Sequence, residues 1–268
     1  LSNGTTVSKY QMRENSIPEK QFVMKADVAS SEGCNNVELV RLYNNTCPYR
    51  TPAQVENPNV RQGIDGFPIV IFWMNPDTNE TTFIGKYNFN NAKGTEATYG
   101  FAEGDESWEM RNNTSNRVLY KDDSFSNIAD DTDEFGNPVP SWQKDFECRY
   151  PDEEYFDYTQ LREFISWVKS TDPTQATNAA LSETADFGET ETTEVNGEMV
   201  TTPITHTHDT AAYRRAKFKA QLSDYAEVQS LMYYYLFTEM FLMVDSRAKN
   251  SFPSFIGSPT TGGAAGNE

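Results

Sequence analysis

Tyr233-Tyr-Tyr-Leu-Phe-Thr-Glu-Met-Phe-Leu-Met-Val-Asp245-Ser-Arg-Ala-Lys-Asn250 is the stretch on which the fold turns, an apolar run that enters a polar loop without a break. The pattern predicts a helix over residues 228–244, the longest apolar helix of the chain, buried and acting as the pillar around which the rest packs. The run carries Thr238 and Glu239 and is shorter than the roughly 20 apolar residues a bilayer span needs, so no membrane span is expected. Just upstream, Tyr213, Ala216, Phe218, Ala220 and Leu222 predict another helix from Thr210, broken near Ser223 and Asp224. Residues 210–256 thus read as a helical part ending in the Asp245 loop.

Further towards the N-terminus the character changes. Residues 171–209 are rich in Thr, Glu and Asn with few large apolar side chains, which predicts an excursion outside the core. Asn196-Gly197 between Thr-Glu-Val and Glu-Met-Val predicts a tight hairpin turn there. Leu161, Phe164, Ile165 and Val168 share one face of a helix over residues 157–169, capped by Asp157 or Thr159 and ended by Pro173. Residues 122–140 are acidic and loop-like; Asp130-Asp-Thr-Asp-Glu134 echoes a calcium loop but lacks its central glycine and terminal glutamate, so a solvated loop is the default.

Residues 1–170 form the mostly β part. The run from Phe67 to Trp73, β-branched and aromatic, predicts a buried strand after the Asp65-Gly66 turn. Residues 82–88 predict its returning partner, giving a hairpin over 67–89. Residues 21–27 predict a further strand and residues 37–43 a short helix, with a strand as the rival. Shorter strands are expected at 107–112 and 117–120. The tail, residues 257–268, is Gly, Ala, Thr and Pro, which predicts a flexible end.

The length of 268 residues fits one large domain or two small ones. A net charge of -18, from 40 acidic and 22 basic residues, repels any phosphate polymer on average, which argues against a nucleic-acid partner. Three cysteines, Cys34, Cys47 and Cys148, allow at most one disulfide and have no metal spacing; Cys34 with Cys47 is the pair available, against three reduced thiols. His206 and His208 would face one side of an extended chain, which suits a metal or simply a polar loop.

Chemistry is offered by the loop itself. Asp245, Arg247 and Asn250 have the spacing of the protein-kinase catalytic loop, in which an Asp accepts the substrate hydroxyl proton, a cation steadies the γ-phosphate and an Asn holds magnesium. In those roles Asp245 is the base, Arg247 the phosphate clamp and Asn250 the metal ligand, with ATP and Mg2+ as cofactors. The same six residues also read as a polar helix end whose cations answer the helix dipole.

Several segments carry a family resemblance. Phe22-Val-Met-Lys-Ala-Asp-Val-Ala-Ser-Ser-Glu-Gly33, Glu38-Leu-Val-Arg-Leu-Tyr43, Asp65-Gly-Phe-Pro-Ile-Val-Ile-Phe72, Phe83-Ile-Gly-Lys-Tyr-Asn-Phe89 and the helix into Asp245 resemble, in the same order, segments of the CotH (spore coat protein H) kinase-like family. Together they cover about half the chain. Tyr87-Asn-Phe-Asn90, Lys93-Gly94, Trp108-Glu-Met-Arg-Asn-Asn-Thr-Ser115 and Phe146-Glu-Cys-Arg-Tyr-Pro151 are similar to the variant found in virion structural proteins of gut bacteriophages and prophages. The resemblance implies an α+β, atypical kinase-like, two-lobed fold, with an antiparallel sheet beside a helical half and both ends incomplete. It implies a bacteriophage virion structural protein of a tail, baseplate or fibre region, located in the particle and assembling with other virion proteins as an oligomer. An active atypical kinase and a bacterial surface or adhesion protein are the alternatives. The family's basic phosphate-binding segment and its aromatic-Asp-x-Asp metal strand have no counterpart between Leu1 and Glu268, so these residues alone are expected to be inactive. Lys25 is the residue left to approach the nucleotide phosphates, or else a solvated strand lysine.

Overall fold

Strand β2 (Gly66–Met74) and strand β3 (Thr81–Asn91) pair antiparallel from Gly66 opposite Asn90 to Met74 opposite Thr81, with an irregularity between Ile71 and Phe72. The turn between them closes because Asn75 Oδ1 accepts from the Asp77 amide and Asn79 takes φ 55°. The computed structural model describes residues 8–26, 35–110, 130–132, 138–140, 146–152, 157, 159–177, 183–243, 246 and 251–257. Strand β1 (Phe22–Lys25) adds to the free edge of β3, giving the order β1-β3-β2. Tyr10, Phe22, Phe67 and Phe89 interlock at the inner end of this sheet. Gly66 is required where β2 begins, since a Cβ there would lie 2.4 Å from the Phe89 carbonyl oxygen.

Helix α1 (Asn35–Thr46) follows β1 and buries Val37, settling the helix-or-strand choice at residues 37–43. Helix α2 (Pro52–Glu56) starts with a capping box in which Thr51 and Gln54 bond each other's backbone amides. Helix α3 (Glu96–Tyr99) closes a polar core beneath β3. In that core Asn91 accepts from the Asp65 amide and donates to Thr95 and Tyr99, while Asp65 pairs with Arg13 and Arg61. Burial drives the Tyr99 hydroxyl's pKa upward.

A second sheet, ordered β10-β4-β7, consists of β4 (Glu106–Met110), β7 (Phe146–Tyr150) and β10 (Ser254–Phe255). Helix α4 (Thr159–Thr171) lays Leu161 and Ile165 on Trp108, Phe146 and Cys148, the apolar core, with Phe255 at its margin. Burying each of those two aliphatic side chains stabilises the fold by roughly 1.5–3 kcal/mol. Between β4 and β7 in sequence, β5 (Asp130–Thr132) and β6 (Pro138–Pro140) pair with each other. The solvated loop expected around Asp130 is therefore partly strand, its backbone groups satisfied in a ladder.

Beyond α4, β8 (Thr184–Val195) and β9 (Glu198–Thr207) form a long two-stranded ribbon. Asn196 at φ 56° and Gly197 at φ 87° give both turn residues positive φ, the conformation that matches strand twist in a two-residue hairpin. Helix α5 (Ala211–Tyr225), capped by Thr210, supports the ribbon root, where Phe187 and His208 meet the Tyr213 ring. Helix α6 (Val228–Met240) follows Glu227 as cap and touches α1 through Tyr43, Tyr233 and Phe237.

Two expectations fail here. The apolar helix ends at Met240 rather than 244 and is shorter than α5. Only Phe237 and Thr238 are buried, while Leu236, Met240 and Leu242 are 59%, 75% and 80% exposed, so α6 is not a buried pillar. Its apolar residues run round the whole helix, a pattern that reads as burial, but the described residues cover one seam along Tyr43. Strand β2 likewise is buried only at Gly66, and Val70, Phe72, Trp73 and Met74 are exposed, because the sheet has three strands and nothing described covers its outer half.

Small antiparallel sheets with helices make the protein α+β. No helix among the described residues is long and apolar enough to cross a membrane. The strand expected at 117–120 and the tail from residue 258 lie outside the described residues.

Candidate functional site

Of the loop expected to carry chemistry, Asp245, Arg247 and Asn250 lie outside the described residues. The chain is described up to their threshold: the Met243 amide bonds the Thr238 carbonyl, and the Ser246 carbonyl accepts from the Tyr234 hydroxyl. Lys25 ends β1 opposite Asn88, with an exposed side chain. Cys47 and Cys148 are free and buried, so Cys47 takes no part in a disulfide. Burial pushes the Cys148 thiol up to about 11. His206 lies in β9, 2.8 Å from Glu189, and His208 packs on Tyr213; the polar loop expected for them is a strand end. Among the described residues no group of three or more His, Cys, Asp and Glu could hold a metal.

The side chains that do converge lie between α4 and α5. Trp167, 6% exposed on α4, is sandwiched between Phe218 and Tyr225 of α5, the Tyr225 ring nearly parallel to it at 4.6 Å. Trp167 and Tyr225 of this stack line an open cleft of about 470 Å3, whose rim carries Arg162, Ser166, Lys217 and Gln221, with Glu163 beside Arg162. The spacing of α4 puts Arg162, Ser166 and Ser170 on one helical row at intervals of four. Lys217 Nζ donates to Ser170 Oγ at 2.8 Å. Its pKa is lowered, first by burial and then by the neighbouring Arg214.

Arg214 ties α5 to the end of α4 beside the cleft. Its Nη1 donates to the Lys169 carbonyl at 2.7 Å and the Asp172 carbonyl at 3.2 Å, and its Nε to Asp209 at 2.6 Å. A cation at the α4 C-terminus satisfies end carbonyls and opposes the negative end of the helix dipole. Asp209 in turn accepts from Thr177, which with Arg214 holds its pKa below the usual carboxylate range. Lys169 and Arg214 continue the basic lining into a neighbouring hollow that shares Ser166 and Ser170.

No family model, curated protein or solved structure matches the chain.

The cleft offers cations, hydroxyls and an aromatic wall, a combination that receives carboxylates attached to apolar groups. Sequence reasoning missed it. Its signal, basic residues interleaved with aromatic ones on two amphipathic helices, is there in Arg162, Trp167, Lys217 and Tyr225, but about 50 residues of chain separate the two halves. A second charged cluster lies on the β4–β7 sheet. Glu109 receives Arg149 Nε at 2.7 Å and pairs with Lys93, while Arg149 also reaches Glu147 at 2.9 Å. Burial opposes the charge on Glu109, yet Lys93 and Arg149 together keep its pKa below the ordinary glutamate value. These groups satisfy one another and hold the sheet rather than face a ligand.

Proposed function

We propose that this protein is a bacteriophage virion structural component of the tail, baseplate or fibre region, built on a CotH kinase-like two-lobed domain and used in particle assembly or host contact. The observation that carries the reading is the amount of large apolar side chain left outside: Phe72, Trp73, Met74, Phe83 and Ile84 on the β2–β3 hairpin, and Met232, Leu236 and Met240 on α6. Contiguous apolar patches on a soluble surface mark places where another macromolecule sits. Other virion proteins in an oligomeric assembly are the partners this implies. A particle surface also suits a charge of -18. Electron microscopy and peptide mass spectrometry of purified particles test it: the polypeptide is expected at stoichiometric copy number, and its absence overturns the proposal. Recovery on bacterial envelopes instead of particles supports a surface or adhesion protein.

The alternative of an atypical kinase rests on the Asp245, Arg247, Asn250 spacing and on Lys25, which is solvent-exposed at the end of β1. Mg2+ and ATP would be its cofactors, with positioning and charge neutralisation supplying most of the catalysis.

A further inference from the structure

We propose that copies of this chain associate by seating the end of the β8–β9 ribbon of one copy in the Trp167–Lys217 cleft of another, an inference that rests on the reading of the protein as an assembly component. From Thr190 to Pro203 every residue of the ribbon is exposed, so both of its faces lie in solvent. A lone two-stranded hairpin in water is marginal in stability, and it gains order when a third surface covers one face. This ribbon has a face suited to that. In the observed register Thr193 lies opposite Val200 and Val195 opposite Glu198, so Glu191, Val195, Glu198 and Val200 share one side. That side joins two carboxylates to two apolar side chains. The stretch from Thr190 to Pro203 contains three glutamates and no lysine or arginine.

The cleft is the complement. Tyr225 and the largely buried Trp167 give it an apolar wall, and Arg162 and Lys217 outweigh Glu163 to leave its lining net positive, in a protein otherwise strongly acidic. Valine side chains fit the wall, and the two glutamates meet the two cations. Complementary charge of this kind speeds encounter and fixes register.

The ribbon does not serve its own cleft. On α5, Lys219 bonds Glu189 at the ribbon root, whereas Lys217 and Gln221, two residues to either side, line the cleft. With 3.6 residues per turn, two residues turn the helix by about 200°, which sets Lys219 roughly opposite Lys217 and Gln221, while Tyr213, the other α5 contact of the root, lies within about 40° of Lys217. From Glu189 the turn at Asn196 lies seven residues out, about 23 Å at the strand rise. No residue of β8 or β9 lines the cleft of its own chain and Thr190 to Pro203 are all exposed, so the ribbon end is placed to reach the cleft of a neighbour. Two copies exchanging ribbons, or copies joined head to tail, both satisfy the contact.

Sedimentation velocity on the full chain over a range of concentration and salt tests this. Wild-type protein is expected to exceed its monomer mass of 30.4 kDa at low salt and to fall towards it as salt screens the contact. Glu191→Lys with Glu198→Lys, on exposed positions that leave the fold intact, is expected to weaken self-association by tenfold or more. Arg162→Glu with Lys217→Glu is expected to do the same. A mixture of the two double variants restores association, because the reversed ribbon then meets the reversed cleft. A monomeric wild type at all concentrations, association untouched by the ribbon reversal, or a mixture no better than its components overturns the proposal. Circular dichroism melting checks that the cleft variant is folded, and the ribbon variant decides the matter if it is not. Particles that retain the protein while ribbon reversal leaves association unchanged refute this contact and leave the virion reading standing; absence from particles refutes the virion reading instead.

Discussion

The contrast between Leu236 and Phe237, neighbours on α6, separates a helix with one packed seam from a buried pillar. Phe237 is 6% exposed and meets Tyr43, Tyr233 and Phe241 at centroid distances between 4.7 and 6.0 Å; Leu236 is 59% exposed. Removing a packed aromatic side chain costs about 3–5 kcal/mol in lost transfer energy and cavity formation, so Phe237→Ala should fall in that range. With a urea m-value of roughly 1–3 kcal/mol per molar, the unfolding midpoint drops by about 1–5 M. Leu236→Ala loses only the buried minority of its side chain and leaves no enclosed cavity, so its cost should stay below about 1 kcal/mol. In a buried pillar Leu→Ala would cost about 2–5 kcal/mol. Urea unfolding followed by circular dichroism, with m unchanged between variants, gives both numbers. Losses of similar size at the two positions would refute the exposed-face description and restore the pillar. A small loss at Leu236 accompanied by poorer incorporation into particles is the combination the assembly reading expects.

Three further outcomes are expected. Glu109→Gln should destabilise the fold by about 1–3 kcal/mol, less than the loss of a fully buried pair because Lys93 is 42% exposed and Arg149 keeps Glu147. The folded pKa of Glu109 is lowered, so its stabilisation is present above the unfolded value near 4.3 and disappears as pH falls through the folded value; acid unfolding scans should show wild type losing its advantage over the glutamine variant below about pH 4. Gly197→Ala meets no atom within 4 Å but places a Cβ at φ 87°, so the ribbon should open more readily by about 1–2 kcal/mol, seen as faster amide exchange in β8 and β9 with an unchanged global unfolding midpoint. Incubation with labelled ATP and Mg2+ or Mn2+ distinguishes the kinase alternative: labelling lost in Asp245→Ala supports it, and equal labelling removes Asp245 as the base.

What could be read in advance was local. Asn196-Gly197 announces itself because turn geometry is set by the residues in the turn, and the ribbon turns where that signal stands; Asp65-Gly66 makes no turn but does mark where β2 begins. The face of α4 was equally plain, since Leu161 and Ile165 repeat at a helical interval and both are buried. Burial was misjudged wherever the apolar pattern lacked a period. The run through Leu231 and Leu236 does not say which side is covered, and the run through Phe67 and Trp73 does not say how many strands flank it. Strand β10 escaped notice because two residues, Ser254 and Phe255, carry no pattern; only the partner β4, about 150 positions away, makes them a strand. The cleft was hidden for the same reason, its two walls being brought together by α4 packing on α5.

The inversion of polarity in the first sheet bears on what the protein is for. Beneath β3 the buried positions are Asn88, Asn90, Asn91, Asp65 and Glu19, while Val70, Phe72, Trp73, Phe83 and Ile84 of the same hairpin point into solvent. A polar interior of this kind stays stable only if its groups are satisfied, and Asn91 and Glu19 show how: the first bonds the Asp65 backbone, Thr95 and Tyr99, the second the amide and hydroxyl of Thr98. Such a network fixes one arrangement of loops rather than supplying a large hydrophobic stabilisation, which comes instead from the Trp108 and Leu161 core in the second sheet. The exposed apolar side chains of the hairpin and of α6, unlike Phe237, therefore contribute little while the protein is alone. A partner that covered them would add the stabilisation they lack, which is what the proposed assembly role expects of these side chains.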